Sequence, residues 1–189
     1  MGLRTKRSLK MGLWINTISL NQAKSEKPGP TINKLGKMMI QFKNEMNKLE
    51  NSISFSKRSP VEAEPESYYS DSWIYGGTDM MFVLHDCNRL GAHVEDVEEI
   101  PAEEIIGYCS VHFDEEDKSA VVMELFIDSK FRGRGYGKFL MRYVVHKLGH
   151  EYNLGLTVHN CNKYALKIYQ DLGFDIPVST WYVRPKGYM

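Results

Sequence analysis

Residues 121–150 decide the fold, and they read VVMELFIDSKFRGRGYGKFLMRYVVHKLGH. A run of strand length at 121–128 leads into a glycine-rich turn, and a helical apolar pattern follows at 135–150. Together with the run LGLTVH at 154–159, this order predicts a strand–helix–strand unit. The pattern is typical of a mixed α/β or α+β protein.

The glycine-rich turn predicts a phosphate site. Gly133, Gly135 and Gly137 let the backbone turn tightly, so that N–H groups at a helix start converge on phosphate oxygens. Positive charge comes from Arg132, Arg134 and Lys138. The spacing matches neither the dinucleotide fingerprint G-x-G-x-x-G nor the G-K-[ST] ending of a P-loop. We therefore expect this loop to bind the pyrophosphate group of a ligand other than NAD or a nucleoside triphosphate.

The rest of the chain contains strand-like runs, helical patterns and linkers. Further strands are expected at 80–86 and 105–113. A hairpin tip at 114–119 would join the strand at 105–113 to the strand at 121–128, and a last strand is expected at 181–185. The further helices are expected at 31–50 and 162–173. Linkers are indicated by Pro28-Gly29-Pro30 and by the Ser-, Pro- and Glu-rich stretch 56–72.

The formal net charge is zero, but the charges are unevenly distributed. Residues 1–49 carry ten basic and two acidic side chains, and residues 62–104 carry twelve acidic side chains and one arginine. Each block is either a solvated face or a binding feature. As binding features, they would favour a cationic substrate near the acids and an anionic protein or nucleic-acid partner for residues 1–50.

Cysteine and histidine usage argues against disulfide and metal sites. Three cysteines without C-x-x-C spacing favour a reducing compartment. His146 and His150 have no evident third ligand, so we expect no metal. Because no apolar run is long enough for a membrane span, we expect a cytoplasmic protein.

Two motifs with defined spacing follow one another along the chain. The first is Arg132-x-x-Gly135-x-Gly137, and the second is Asn162-x-x-Ala165-x-x-x-Tyr169-x-x-x-Gly173-Phe174. Both resemble motifs of the GNAT superfamily of N-acetyltransferases. Positions seven apart share a helix face, so Asn162 and Tyr169 can line one groove. Taken singly, Tyr169 also suits a core aromatic and Asn162 a helix N-cap. The resemblance covers residues ~105–175 and implies a mostly antiparallel sheet flanked by helices, in a domain at 73–189 behind a basic extension at 1–72.

The resemblance also implies a cofactor and roles for individual residues. Acetyl-CoA would lie with its pantetheine arm along the backbone of Leu125, Phe126 and Ile127. Its pyrophosphate would lie on residues 133–138, which include Tyr136, and Asn162 would line the same groove. Tyr169 would protonate the departing thiolate, because a phenol stays protonated at neutral pH.

A base is needed to take the proton of the attacking amine. Glu124 is the first candidate because it interrupts an apolar run, although it also suits an exposed sheet face. His112 is the second candidate. The expected function is acetyl-CoA-dependent N-acetyl transfer to a primary amine of a small molecule or protein. The alternative is a non-catalytic protein of this fold that docks through its basic arm and the methionine-rich helix 31–50.

Overall fold

The computed structural model describes residues 12–19, 29–53, 57–74, 77–88 and 101–175, which form five strands and four α-helices. The strands are β1 (Leu13–Ser19), β2 (Met80–Asp86), β3 (Ile105–Asp114), β4 (Ser119–Ile127) and β5 (Asn153–Leu156). The helices are α1 (Pro30–Ile53), α2 (Pro65–Ile74), α3 (Tyr136–Leu148) and α4 (Lys163–Gln170). Short 3₁₀ turns, Ala102–Glu104 and Ser129–Phe131, precede β3 and follow β4.

The strands form a sheet in the order β1-β2-β3-β4-β5. The first four strands pair antiparallel, and β5 pairs parallel to β4. A tight turn joins β3 to β4, whereas α3 carries the chain from β4 to β5, and a helical crossover is the connection that parallel neighbours need. The prediction of a mixed, mostly antiparallel sheet with a strand–helix–strand unit is confirmed.

Each face of the sheet is covered by helices. Alternate side chains of a strand point to opposite faces, so both faces present apolar side chains that the helices bury. Residues of α3 and α4 pack on one face, and this cluster includes Leu84, Val122, Leu140, Val144 and Tyr169. Residues of α1 and α2 pack on the other, and that cluster includes Leu35, Met39, Tyr69, Met81 and Tyr108. The helix α3 buries Leu140, Tyr143, Val144 and Leu148, while Phe139 is only partly buried.

The separation of residues 1–72 as an extension is not confirmed. β1 pairs along its full length with β2, and α1 buries its apolar stripe against the same sheet. Met38 and Met39, which suggested an adaptable docking surface, are 2% and 0% exposed. An amphipathic helix buries its stripe on the nearest apolar surface, and here that surface is the chain's own sheet.

The stretch 56–72 also differs from the expected linker, because its second half is helical. α2 begins at Pro65, and Glu66 lies in its first turn. Proline suits the first helical position, which needs no N–H partner, and a carboxylate near a helix N-terminus is favourable. Packing also stabilises the helix, since Tyr69 is 1% exposed and lies in the same apolar cluster as residues of α1.

Several predicted features lie outside the described residues. They are the basic side chains before residue 29, the acidic residues at 95–99 and the expected strand at 181–185. Within the described ranges, the helices lack the combination of length and apolarity that crossing a bilayer requires.

Candidate active site

The site begins where β4 and β5 part. Their ladder runs from Ser119↔Asn153 to Val122↔Leu156, and beyond that pair the two segments line opposite sides of a cleft. The cleft has a volume of about 260 Å³. Leu125, Phe126 and Ile127 line it from β4, and Thr157, Val158 and His159 line it from the segment after β5. The backbone of β4 at this edge is therefore available to pair with an extended ligand.

A β-bulge lies at the point of divergence. On β3, Ser110 and Val111 are consecutive, but their partners on β4 are Glu124 and Val122, so Met123 is the extra residue. A bulge bends its strand and strengthens the local twist. Met123 is 46% exposed and lines the cleft. The bulge accounts for β4 turning away from β5 after Val122.

The glycine-rich loop closes one end of the cleft. Gly133 and Gly135 have φ values of 76° and 82°, a left-handed conformation that glycine adopts without strain. A Cβ atom built on either residue would meet no heavy atom within 4 Å, so the backbone there is accessible to a ligand. Gly135 is the N-cap of α3, whose first N–H groups have no partner inside the helix. These residues fit a pyrophosphate.

The cations of this loop are held by other side chains. Nη2 of Arg132 contacts both carboxylate oxygens of Glu45 at 3.0 and 2.9 Å. Lys138 forms an ion pair of 2.5 Å with Asp171. The Arg134 guanidinium lies over the Phe131 ring, 5.7 Å from its centroid. The sequence did not indicate the two acidic partners of these cations.

The second motif lies on the opposite wall. Asn162 is the N-cap of α4, and its side chain accepts a hydrogen bond of 3.2 Å from the Ala165 N–H. Tyr169 is 9% exposed and packs edge-on against Phe174, with ring centroids 6.2 Å apart. Both Asn162 and Tyr169 line the cleft, so each combines its structural role with a place at the site. Burial raises the pKa of Tyr169 to about 12, which keeps the phenol protonated at neutral pH.

Glu124 lies on the other face of the sheet from Leu125, at the level of the bulge. Its Oε2 accepts a hydrogen bond of 2.7 Å from the Tyr108 hydroxyl. Burial raises the pKa of Glu124, while this hydrogen bond and the nearby charge of Lys43 oppose the rise. Burial, and after it the Glu124 charge, raises the pKa of Tyr68 on α2. The carboxyl group thus lies in a partly buried, polar environment between the sheet and the two N-terminal helices.

His112, the second candidate base, is more exposed. Its Nδ1 lies 2.8 Å from Oδ2 of Asp79, and the same oxygen accepts a hydrogen bond of 2.9 Å from the Phe113 N–H. Its side chain is 47% exposed. Burial of Glu124 raises its pKa in the direction of neutrality, as a general base at neutral pH requires.

The sequence did not identify the contribution of α1 to the cleft. Phe42, Glu45 and Met46 line it, and these positions lie three and four residues apart on one helix face. His159 also lines the cleft, with Nε2 3.5 Å from Oε1 of Glu50 on α1. The spacing in α1 was readable, but the surface that this face contacts depends on tertiary packing.

Comparison with known structures agrees with this fold. A protein of Bacillus halodurans, crystallised as a tetramutant, has a TM-score of 0.54 at 18% identity, covering 90% of this chain and 99% of its own. A ribosomal-protein-alanine N-acetyltransferase of Brucella melitensis has a TM-score of 0.52 at 11% identity, covering 91% and 98%. An aminoglycoside acetyltransferase from an uncultured soil metagenomic sample has a TM-score of 0.51 at 13% identity, covering 93% and 99%. At these identities the likeness shows the shared fold.

Comparison of sequences identifies the family. Among curated proteins, none matches the chain. The model of the acetyltransferase (GNAT) family matches residues 49–174, which is more than half of the chain and includes the β4 edge of the cleft, the glycine-rich loop and the motif on α4. The chain belongs to the acetyltransferase (GNAT) family.

Proposed function

We propose that this protein is an acetyl-CoA-dependent N-acetyltransferase that acetylates a primary amine of a small molecule or protein. The observation that carries the proposal is the cleft between β4 and β5, which ends at the glycine-rich start of α3 and has Tyr169 on its wall. A ligand with an extended arm and a pyrophosphate matches both parts of this cleft.

The residues of this chain would hold the coenzyme along its length. The backbone of Leu125, Phe126 and Ile127 would pair with the pantetheine arm as an added strand. The N–H groups of residues 133–138 would bind the pyrophosphate, with Arg134 adding charge, whereas the charge of Lys138 is shared with Asp171. Asn162 would line the opposite side of the same groove. Acetyl-CoA would supply the acetyl group as a thioester.

Two side chains would move protons during transfer. Glu124, or a water that it orders, would take a proton from the amine nitrogen, so that the nitrogen lone pair can form the new C–N bond. A backbone N–H near Phe126 would stabilise negative charge on the carbonyl oxygen. The Tyr169 hydroxyl would give its proton to the sulfur as the C–S bond breaks. Its raised pKa keeps that proton available at neutral pH.

The test is mass spectrometry of reactions that contain acetyl-CoA and a panel of acceptors. The panel should include polyamines, aminoglycosides and peptides with a free N-terminus or a lysine. A mass increase of one acetyl group on an amine, dependent on enzyme, supports the proposal. Binding of acetyl-CoA without transfer to any acceptor would favour a non-catalytic role.

A further inference from the structure

The Arg132 side chain contacts other parts of the protein through its Nε and Nη2 atoms. Its Nε donates a hydrogen bond of 2.8 Å to the Ile127 carbonyl, and its Nη2 contacts both oxygens of Glu45. Its guanidinium lies over the Phe126 ring, with Cζ 5.1 Å from the centroid. These contacts join the end of β4 to the glycine-rich loop and to α1.

α1 is arranged to receive this arginine. Gln41 Nε2 donates a hydrogen bond of 3.1 Å to Glu45 Oε1, which restrains the carboxylate from the preceding turn. Phe42 packs edge-on against Phe126, with centroids 6.2 Å apart, beside the same guanidinium. Glu45, Phe42 and Arg132 all line the cleft. The Arg132 charge is therefore neutralised at the point where a coenzyme would enter.

We propose that Glu45 is a positioning residue that holds Arg132 against α1 and neutralises its charge, so that the coenzyme phosphates are bound without direct help from Arg132. This inference rests on the proposed function. Residues 133–138 then make the phosphate contacts, while the charge of Arg132 is balanced by Glu45. The opposite arrangement would have Arg132 leave Glu45 and bind a phosphate directly.

A double-mutant cycle on acetyl-CoA affinity separates the two arrangements. Arg132→Gln leaves the Glu45 carboxylate unpaired beside the loop, so affinity should fall by roughly three- to fivefold, the upper end of the scale of an exposed charge interaction. Glu45→Gln frees the arginine charge, so affinity should rise. The variant with both changes restores the wild-type charge and should bind within about twofold of wild type.

The measurement is isothermal titration calorimetry of acetyl-CoA with the four proteins. Glu115→Gln is the matched control, because it breaks an exposed ion pair of 2.7 Å to Lys118 at the opposite end of β4 and should leave affinity unchanged. A double variant as weak as Arg132→Gln alone would show a direct phosphate contact and overturn the inference. Arg132→Gln binding like wild type would also overturn it. Failure of wild type to bind acetyl-CoA would instead refute the proposed function.

Discussion

The Tyr108 hydroxyl donates a hydrogen bond of 2.7 Å to Oε2 of Glu124, across the neighbouring strands β3 and β4. Tyr108 is fully buried, and this burial, followed by the Glu124 charge, raises its pKa well above the ordinary value, so the hydroxyl remains a donor. The bond stabilises the charged form of Glu124 and opposes the effect of burial on its pKa. The other titratable groups that act on or respond to this carboxylate are Lys43, Tyr68 and Cys109.

Tyr108→Phe should move the acid limb of the pH profile of kcat/KM to higher pH. A base works only when unprotonated, so activity is lost as pH falls through the pKa of Glu124, and removing the hydrogen bond raises that pKa further. Glu124→Gln should abolish this limb and lower activity. Both profiles are measured with acetyl-CoA and an acceptor found in the panel.

Tyr152→Phe is the matched control for Tyr108→Phe. It breaks a tyrosine–glutamate hydrogen bond of the same 2.7 Å length, at the exposed Glu115, and should leave the profile unchanged. If the acid limb keeps its position in both Tyr108→Phe and Glu124→Gln, Glu124 is not the base, and His112 or water takes its place.

Tyr169→Phe should lower kcat by roughly 10- to 1000-fold while acetyl-CoA affinity stays near that of wild type. The change removes the proton donor and keeps the ring that packs against Phe174. Steady-state kinetics and calorimetry together provide both numbers. Tyr164→Phe, at a cleft position that is 69% exposed, serves as the control. An unchanged kcat in Tyr169→Phe would show that Tyr169 is not the proton donor and serves only as a core aromatic.

Gly135→Asp should weaken acetyl-CoA binding by about tenfold relative to Gly135→Ala. Both variants place a side chain at φ +82°, where nothing lies within 4 Å, so both carry the same backbone strain. The aspartate alone adds negative charge at the start of α3, where the phosphates would bind. Equal affinities of the two variants and wild type, measured by calorimetry, would reject the loop as the phosphate site.

His85 should make the fold less stable in mild acid. It is 3% exposed, and burial lowers its pKa to about 4 from 6.5. Between these pH values the unfolded chain takes up a proton that the folded chain does not, so lowering the pH favours unfolding. Urea denaturation should show a loss of roughly 2 kcal/mol between pH 7 and pH 5.

The His85→Leu variant should lack that part of the acid sensitivity. His112→Gln provides the comparison, because that side chain is 47% exposed. If His85→Leu loses as much stability as wild type between the two pH values, groups other than His85 are responsible.

Met39→Ala should cost roughly 2 to 5 kcal/mol of unfolding free energy, since the side chain is 0% exposed in the core beneath α1. Lys37→Ala, on the exposed face of the same helix, should change it by about 0.5 kcal/mol or less. Both are measured by denaturant unfolding.

Deletion of residues 1–50 should accordingly yield an insoluble or unfolded product. A soluble truncation that still binds acetyl-CoA would show that α1 is dispensable for the fold.

Much of the second half of the fold was predictable because its signals are local. The apolar run of β4, the glycines at 133 and 135 and the periodicity of α3 lie within thirty residues of one another. The first half was harder to interpret. The stripe of α1 has the same pattern whether it covers its own sheet or a partner, and β1 is a short run whose pairing with β2 spans more than sixty residues of chain.

By itself, the sequence determined the glycine-rich loop, the strand–helix–strand unit around it and the asparagine and tyrosine of α4, because backbone freedom, apolar spacing and helix capping are properties of contiguous residues. Only the tertiary structure decided that α1 completes the core and that Glu45 pairs with Arg132 across 87 residues of chain. It also decided that the Tyr108 hydroxyl donates a hydrogen bond to Glu124. Ion pairs, burial and pKa shifts depend on which distant segments meet, and that is decided when the helices pack on the two faces of the sheet.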